Sequence, residues 1–287
     1  MLYLIDGFNK EIAMQKYKLV VSDLDGTLLS HDMVLTDENI EAIKAIKESG
    51  AEFVASSGRT LYEIPRCILD NEHIRYIGYS NGTAVYDKAL KRDIMSSRIS
   101  NSVVKSVIDI VNDYEIALAI HHDGYSYFEK NNTTLEACEK HNINPYYREV
   151  LLKTHLIENV RAKALSSDGV EAIVMFFADD RELDLCRTRL EALGTLTVTS
   201  SVEHNIEVCS NKAGKGAALT FIRDMLGIDK DAVIAVGDNM NDTSMFEVAG
   251  LSLCTSNGSA EAKSYADEVI CSVNENTAKY IYDTFIK

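Results

Sequence analysis

Lys18-Leu19-Val20-Val21-Ser22-Asp23-Leu24-Asp25-Gly26-Thr27-Leu28 opens as a β-branched apolar run and closes on two carboxylates and a glycine. Such a run suits a buried strand better than a helix. On a strand, residues i and i+2 face the same side, so Asp23 and Asp25 project together from its C-terminal edge. Open α/β sheets hold their ligands at that edge. Two close carboxylates repel unless a metal or a shared proton lies between them. The chain carries its own control. Leu2-Tyr3-Leu4-Ile5-Asp6-Gly7 has the same apolar run and turn, but Leu4 stands where the first carboxylate would be. An ordinary strand-end turn accounts for that second stretch. For the first, the bland reading competes with a chemical one, and the downstream sequence decides between them.

Outward from this stretch, residues 1–16 form an N-terminal extension in which Leu2–Ile5 can add an edge strand. Thr36 or Asp37 can cap a helix to about Ser49, with Ile40, Ile43 and Ile46 along one face and Gly50 as the stop. Residues 51–57 read as a second strand, 61–69 as a helix complicated by Pro65, and 74–80 as a third strand closing at Asn81-Gly82. Strand–helix–strand with short links is the signature of a parallel sheet. The rhythm changes near residue 84. Residues 116–119 and 125–128 around Asp123-Gly124 read as a hairpin, 170–178 as a strand, 181–193 as a helix and 196–201 as a strand. It resumes with a helix over 215–226, a buried strand over 232–236, a helix at 243–249, a strand at 251–254 and a C-terminal helix. The expected fold is therefore a doubly wound α/β parallel-sheet core, residues 1–83 and 206–287, interrupted by an inserted α+β cap, residues 84–205.

At 287 residues, with 46% hydrophobic and 25% charged residues, the chain has the composition of a soluble two-domain protein. Its longest apolar runs are far short of the ~20 residues that span a bilayer. No basic leader precedes a long apolar stretch, so a cytoplasmic protein is expected. Forty-four acidic residues against 29 basic ones give a net charge of −15, which repels nucleic acid and anionic membrane. Six scattered cysteines without a C-x-x-C pair argue against a zinc site and fit reduced thiols.

Four features fall at strand ends or a helix start of one sheet: Asp23/Asp25, Ser57-Gly58-Arg59, Lys215 and Asp238/Asp242. Together they make the kit that phosphoryl transfer needs: a nucleophile, an acid/base, hydroxyl or amide donors, a cation and metal ligands. Singly, each is weak, since Ser57 reads as a strand-end hydroxyl and Lys215 as a surface lysine. In this order they resemble the haloacid dehalogenase superfamily, with its Rossmann-like core, and within it the Cof-type sugar phosphatases with a large cap. The resemblance rests on Asp23-Leu24-Asp25-Gly26-Thr27-Leu28, Ser57-Gly58-Arg59, Lys215-Gly216 with Ala218-Leu219, and Gly237-Asp238-Asn239-Met240-Asn241-Asp242. Ser80-Asn81-Gly82 looks like the family's segment before the cap. Ser57 replaces the usual Thr, and Asn274-Glu275-Asn276-Thr277 lacks the Asp-Gly common there.

The resemblance implies that Asp23 attacks phosphorus and that Asp25 protonates the leaving alcohol and then activates water. It implies Mg²⁺ on the Asp23 carboxylate, the Asp25 carbonyl and Asp238, with Asn239 and Asp242 as further ligands or support. Ser57, the amides of Leu24 and Gly58, Lys215 and Asn241 would hold the phosphoryl oxygens of a small phosphorylated metabolite. Rival motifs fail: a P-loop needs Gly at 209 and Ser or Thr at 216, where Cys209 and Gly216 stand. A dinucleotide loop at Gly214-Lys215-Gly216 lacks its third glycine at Leu219. His121-His122-Asp123 reads as a hairpin end rather than a metal cluster, because neighbours on a strand face opposite sides. A phosphomutase of the same fold and a non-catalytic metabolite sensor are the competing functions.

Overall fold

The computed structural model describes residues 16–30, 32–200 and 203–287, and the expected strand at Leu2–Ile5 lies outside them. The order begins β1 (Leu19–Asp23), α1 (Asp37–Glu48), β2 (Glu52–Ser56), α2 (Arg66–Leu69), β3 (Tyr76–Tyr79), β4 (Ala84–Asp87) and β5 (Arg92–Ser96). The inserted part follows as α3 (Asn101–Val111), β6 (Ile116–His122), β7 (Tyr125–Glu129), α4 (Leu135–Lys140), α5 (Pro145–Leu151), β8 (His155–Ile157) and α6 (Val160–Ser166). It continues with β9 (Ala172–Phe177), α7 (Asp180–Glu191), β10 (Leu196–Thr199) and β11 (Asn205–Ser210). The chain then closes with α8 (Lys215–Met225), β12 (Val233–Gly237), α9 (Thr243–Val248), β13 (Leu251–Thr255), α10 (Ala260–Lys263), β14 (Glu268–Ile270) and α11 (Thr277–Ile281).

The core sheet runs β14-β13-β12-β1-β2-β3-β4-β5, parallel as far as β3. Strand β1 is buried throughout because both its faces are covered. Val20 joins Ile43, Ile46, Phe53 and Ile281 on one face, and Leu19 and Val21 join Leu219, Ile222 and Phe246 on the other. The chain leaves β1 towards β2 on one side and returns to β12 on the other. The carboxyl ends of these three strands therefore frame the crevice where such sheets bind ligands. Register sets Asp23 beside Ser56 and Ser22 beside Val236, so the residues that follow β2 and β12 emerge next to Asp23.

Three expectations need correction. The helix over 61–69 is broken: Leu61–Glu63 is a 3₁₀ turn and only Arg66–Leu69 is helical. Ile64, held extended before Pro65 (ψ 131°), cannot continue the turn. Secondly, β4 and β5 belong to the core sheet as an antiparallel hairpin, with Ala84 and Val85 buried in the core. Thirdly, β11 pairs with β9 and β10 in the second sheet, so 84–205 is not the span of the insert. That second sheet, β10-β11-β9-β6-β7-β8, begins after the Ile99–Val170 bridge where the chain crosses over. Asp123-Gly124 forms the tight turn of the expected hairpin, with φ of 51° and 75°. The C-terminal helix enters through Asn276 in the left-handed region (φ 63°), an asparagine doing what the missing glycine would.

Candidate active site

Asp23 sits at the end of β1, 5% exposed. Its Oδ1 accepts a hydrogen bond from Lys215 Nζ at 2.5 Å, and the same ammonium donates to Asp242 Oδ1 at 2.6 Å. Lys215 is the first residue of α8 and only 1% exposed. The second Asp242 oxygen accepts the backbone N–H groups of Asp238 (2.9 Å) and Asn239 (3.0 Å), which fixes the loop after β12. Gly237 permits this close approach, since a Cβ there would strike the Asp242 carboxyl group. Asp238 Oδ1 accepts from the Thr27 hydroxyl at 3.3 Å. Carboxylate oxygens of Asp23, Asp238 and Asp242 come within 4.8 Å of one another. Burial, with the neighbouring carboxylates, pushes Asp23 well above the ordinary carboxylate range despite Lys215. Asp238 is raised to about 6, chiefly by burial and then by Asp242. The remaining Asp23 oxygen, Oδ2, is buried and has no hydrogen-bond partner.

Asp25 lies two residues on and is gripped by Arg59, whose Nε donates to Oδ2 at 2.8 Å and Nη2 to Oδ1 at 2.9 Å. Such a two-point pair fixes orientation as well as charge. Between the two carboxylates, Leu24 is fully buried, and its carbonyl accepts the amides of Thr27, Leu28 and Leu29. Ser57, fully buried, accepts the Arg59 N–H on its hydroxyl at 3.2 Å. Gly58 lies against the Asn81 side chain, whose Oδ1 accepts from Asn241 Nδ2 at 3.0 Å. Asn239 Oδ1 instead accepts from the Met240 amide at 2.8 Å and caps the short turn Met240–Asp242.

The structure thus gathers Asp23, Lys215, Asp238 and Asp242 into one cluster and sets Asp25, Ser57, Gly58 and Asn241 on the loops around it. The motifs imply no role for Arg59, Thr27 or Asn81, and the structure places these side chains on Asp25, Asp238 and Asn241. The signal for Arg59 was its place at the end of β2, a cation two residues from a strand-end hydroxyl. The His121-His122-Asp123 stretch is structural at two of its positions. His122 Nδ1 meets the Gly169 carbonyl at 2.9 Å, and Asp123 pairs with Arg98 at 2.6 Å.

Residues 20–281 match the haloacid dehalogenase-like hydrolase family, and the chain belongs to it. The Bacillus subtilis (strain 168) protein 5-amino-6-(5-phospho-D-ribitylamino)uracil phosphatase YwtE is 28% identical to it over 94% of this chain and 98% of its own. The crystal structure of TM0651 from Thermotoga maritima is similar with a TM-score of 0.80 at 23% identity, over 94% of this chain and 98% of that one. The subclass IIB sugar phosphatase BT4131 gives a TM-score of 0.74 at 18% identity, over 93% and 98%. At these identities the two structures speak to the fold alone. Family and curated relatives together make the protein a phosphoric monoester hydrolase, and the solved structures share its fold of core and cap.

Proposed function

We propose that the protein hydrolyses small phosphorylated metabolites, sugar phosphates foremost, in a Mg²⁺-dependent reaction through an aspartyl-phosphate on Asp23. The observation that carries this reading is the state of the Asp23 carboxylate, with one oxygen on Lys215 and the other buried and unpartnered. A buried orphan oxygen is costly unless something meets it. The donors that converge here are all carboxylate oxygens, the ligand type Mg²⁺ prefers. Asp23, the Asp25 carbonyl and Asp238 would hold the ion. Asp242 supports them from behind, since Lys215 and two backbone amides already engage its oxygens. Bound there, the ion supplies charge neutralisation and Lewis acidity at the phosphoryl group.

An Asp23 oxygen attacks phosphorus, and the bond to the leaving oxygen breaks. Asp25 turns from Arg59 to give that oxygen a proton. It then takes a proton from the water that cleaves the acyl phosphate, which releases inorganic phosphate and restores Asp23. Lys215, Ser57, Asn241 and the amides of Leu24 and Gly58 hold the phosphoryl oxygens meanwhile. The six free thiols fit a cytoplasmic enzyme. The test is phosphate release from a panel of hexose, pentose and polyol phosphates, the ribitylaminouracil phosphate named for the relative among them. It is run with Mg²⁺ and with chelator, while the sugar product is followed for isomerisation. Release that needs Mg²⁺ is expected. Full turnover in chelator rejects the metal, and isomerised sugar phosphate without release makes the protein a mutase.

A further inference from the structure

Ser80, Asn81 and Gly82 make the turn that follows β3, with φ of 48°, 53° and 75°. Two consecutive non-glycine residues in the left-handed region are strained, and persist only where their surroundings hold them. The turn is held from three sides of the core. Ser80 N–H donates to the Arg59 carbonyl at 2.8 Å and Asn81 N–H to the Ser57 carbonyl at 3.0 Å. The Asn81 side chain holds Asn241, and Gly82 is so close to Gly214 that a Cβ would strike its carbonyl just before Lys215. Three of the segments assigned to the phosphoryl group, those of Ser57-Gly58, Asn241 and Lys215, therefore lean on these three residues.

The fourth hold comes from the cap. Glu171, immediately before β9, is fully buried. Its Oε2 accepts from Ser80 Oγ at 3.2 Å, and its Oε1 accepts from the Gly124 N–H at 3.0 Å at the tip of the β6–β7 hairpin. Arg98, on the segment crossing into the cap, lies 3.6 Å from the same carboxylate, and the Glu171 carbonyl accepts from Thr83 Oγ1 at 3.4 Å. The hairpin tip is itself docked on the core. The Gly124 carbonyl accepts the Tyr62 N–H at 3.1 Å, and the Tyr125 ring stacks on Tyr62 with centroids 4.0 Å apart. Tyr62 belongs to the turn that follows Arg59, so core and cap meet beside the residue that grips Asp25.

We infer that Glu171 is a positioning residue that couples docking of the cap to the order of the phosphate-binding loops, through its hydrogen bond to Ser80. A carboxylate serves this joint because one group accepts from the core hydroxyl and the cap amide at once. The Ser80 turn then has its full set of holds only while the hairpin tip is seated. The inference rests on the site proposed above. It separates Glu171 from cap residues that touch only substrate, because loss of Glu171 should reach the core even when the substrate is too small to use the cap.

The variants are Glu171→Ala, Glu171→Gln, Ser80→Ala and the Glu171→Ala/Ser80→Ala pair, assayed with a small aryl phosphate. Loss of a hydrogen bond to a charged group predicts a fall in kcat of roughly tenfold for Glu171→Ala. Glu171→Gln keeps the shape and one acceptor, and should recover part of it. Ser80→Ala should match Glu171→Ala, and the double variant should be no worse than either. Amide hydrogen exchange should quicken at residues 57–59 and 80–82 in Glu171→Ala. That readout needs no turnover, so it stands even if the phosphatase reading fails, whereas an inactive wild type would reject that reading alone. A lower melting temperature with unchanged kcat and unchanged exchange at those amides would overturn the inference, as would losses that multiply in the double variant.

Discussion

Replacing Lys215 by methionine keeps the length of the side chain and removes its charge, which makes it a clean probe of the acidic cluster. A cation in the first turn of a helix opposes the helix dipole, so Lys215 does not serve α8 by standing there. Burial alone would lower its pKa, but Asp23 and Asp242 reverse that and hold it above the ordinary lysine value. Its charge, and what that contributes to stability, are therefore constant through the neutral range. Without it, two buried carboxylates face each other and Asp238 with no counter-charge. Removing one partner of a buried ion pair costs about 3–5 kcal/mol. We expect that loss near pH 8 in chelator, and turnover reduced at least hundredfold. At lower pH the orphaned carboxylates relax by taking protons. An acid whose folded pKa is raised binds more protons folded than unfolded, so the variant loses stability as pH rises through that interval. The deficit should then shrink to about half or less near pH 5, by the same linkage. Urea midpoints of wild type and variant at the two pH values, in chelator, read this directly. A variant as stable as wild type near pH 8, or one with a larger deficit near pH 5, would refute the electrostatic account of the cluster.

Asp23→Asn, nearly isosteric, should abolish phosphate release and keep the far-ultraviolet spectrum of the wild type; normal release removes Asp23 as nucleophile. Asp25→Asn should lose about 10²–10⁴-fold on alkyl phosphates and much less on aryl phosphates with good leaving groups, a difference that side-by-side rates will show. Asp238, raised to about 6, holds its extra proton in the folded state between its ordinary value and that one. Its contribution thus falls as pH rises across the interval, so the stability of metal-free Asp238→Asn relative to wild type should climb from about pH 4 to about pH 6. Mg²⁺ should stabilise wild type above that window and leave the variant nearly unmoved, as melting temperatures will report. Substitutions on the cap's core-facing surface, Glu171 apart, should change kcat/KM among sugar phosphates and spare a small aryl phosphate; equal losses on both make the cap a lid without selectivity.

The parallel sheet was legible because β1, β2 and β12 are each a short apolar run stopped by polar or glycine residues, and their order leaves little choice of topology. The nearness of Asp23, Asp25, Lys215 and Asp238 is legible from their joint occurrence at strand ends and a helix start, since each alone has a bland reading. What escaped was contact across sequence. Ala84–Asp87 carries no sign of which sheet receives it, so β4 and β5 fall within the span expected for the insert. The two-point grip of Arg59 on Asp25 spans 34 residues, and the bond from Ser80 to Glu171 spans 91. Neither leaves a periodic trace. Pro65 complicates the helix expected over 61–69, and its effect is that the extended residue before it splits that helix. The hairpin end read at His121-His122-Asp123 has contacts that spacing alone does not show, with Gly169 on His122, Arg98 on Asp123 and Tyr62 on Tyr125.

Charge balance ties the site together. Asp23, Asp25, Asp238 and Asp242 converge with Lys215 and Arg59 as their ion-pair partners, four carboxylates against two cations, within a protein of net charge −15. A phosphate ester brings further negative charge to the same place. Two kinds of relief exist, a proton or a cation. Burial and the neighbouring carboxylates raise both Asp23 and Asp238, the direction in which a proton would relieve the cluster. That relief is self-defeating for chemistry, because a protonated Asp23 has no free electron pair of useful strength for phosphorus. Lys215 cannot supply the balance alone, since Asp242 already shares it. A divalent cation held by the buried Asp23 oxygen and Asp238, as proposed above, would offset the excess and favour the ionised form of Asp23. On the proposed reading, dependence on Mg²⁺ and nucleophilicity of Asp23 are one property. Lowering pH in chelator should therefore stabilise the protein without restoring activity.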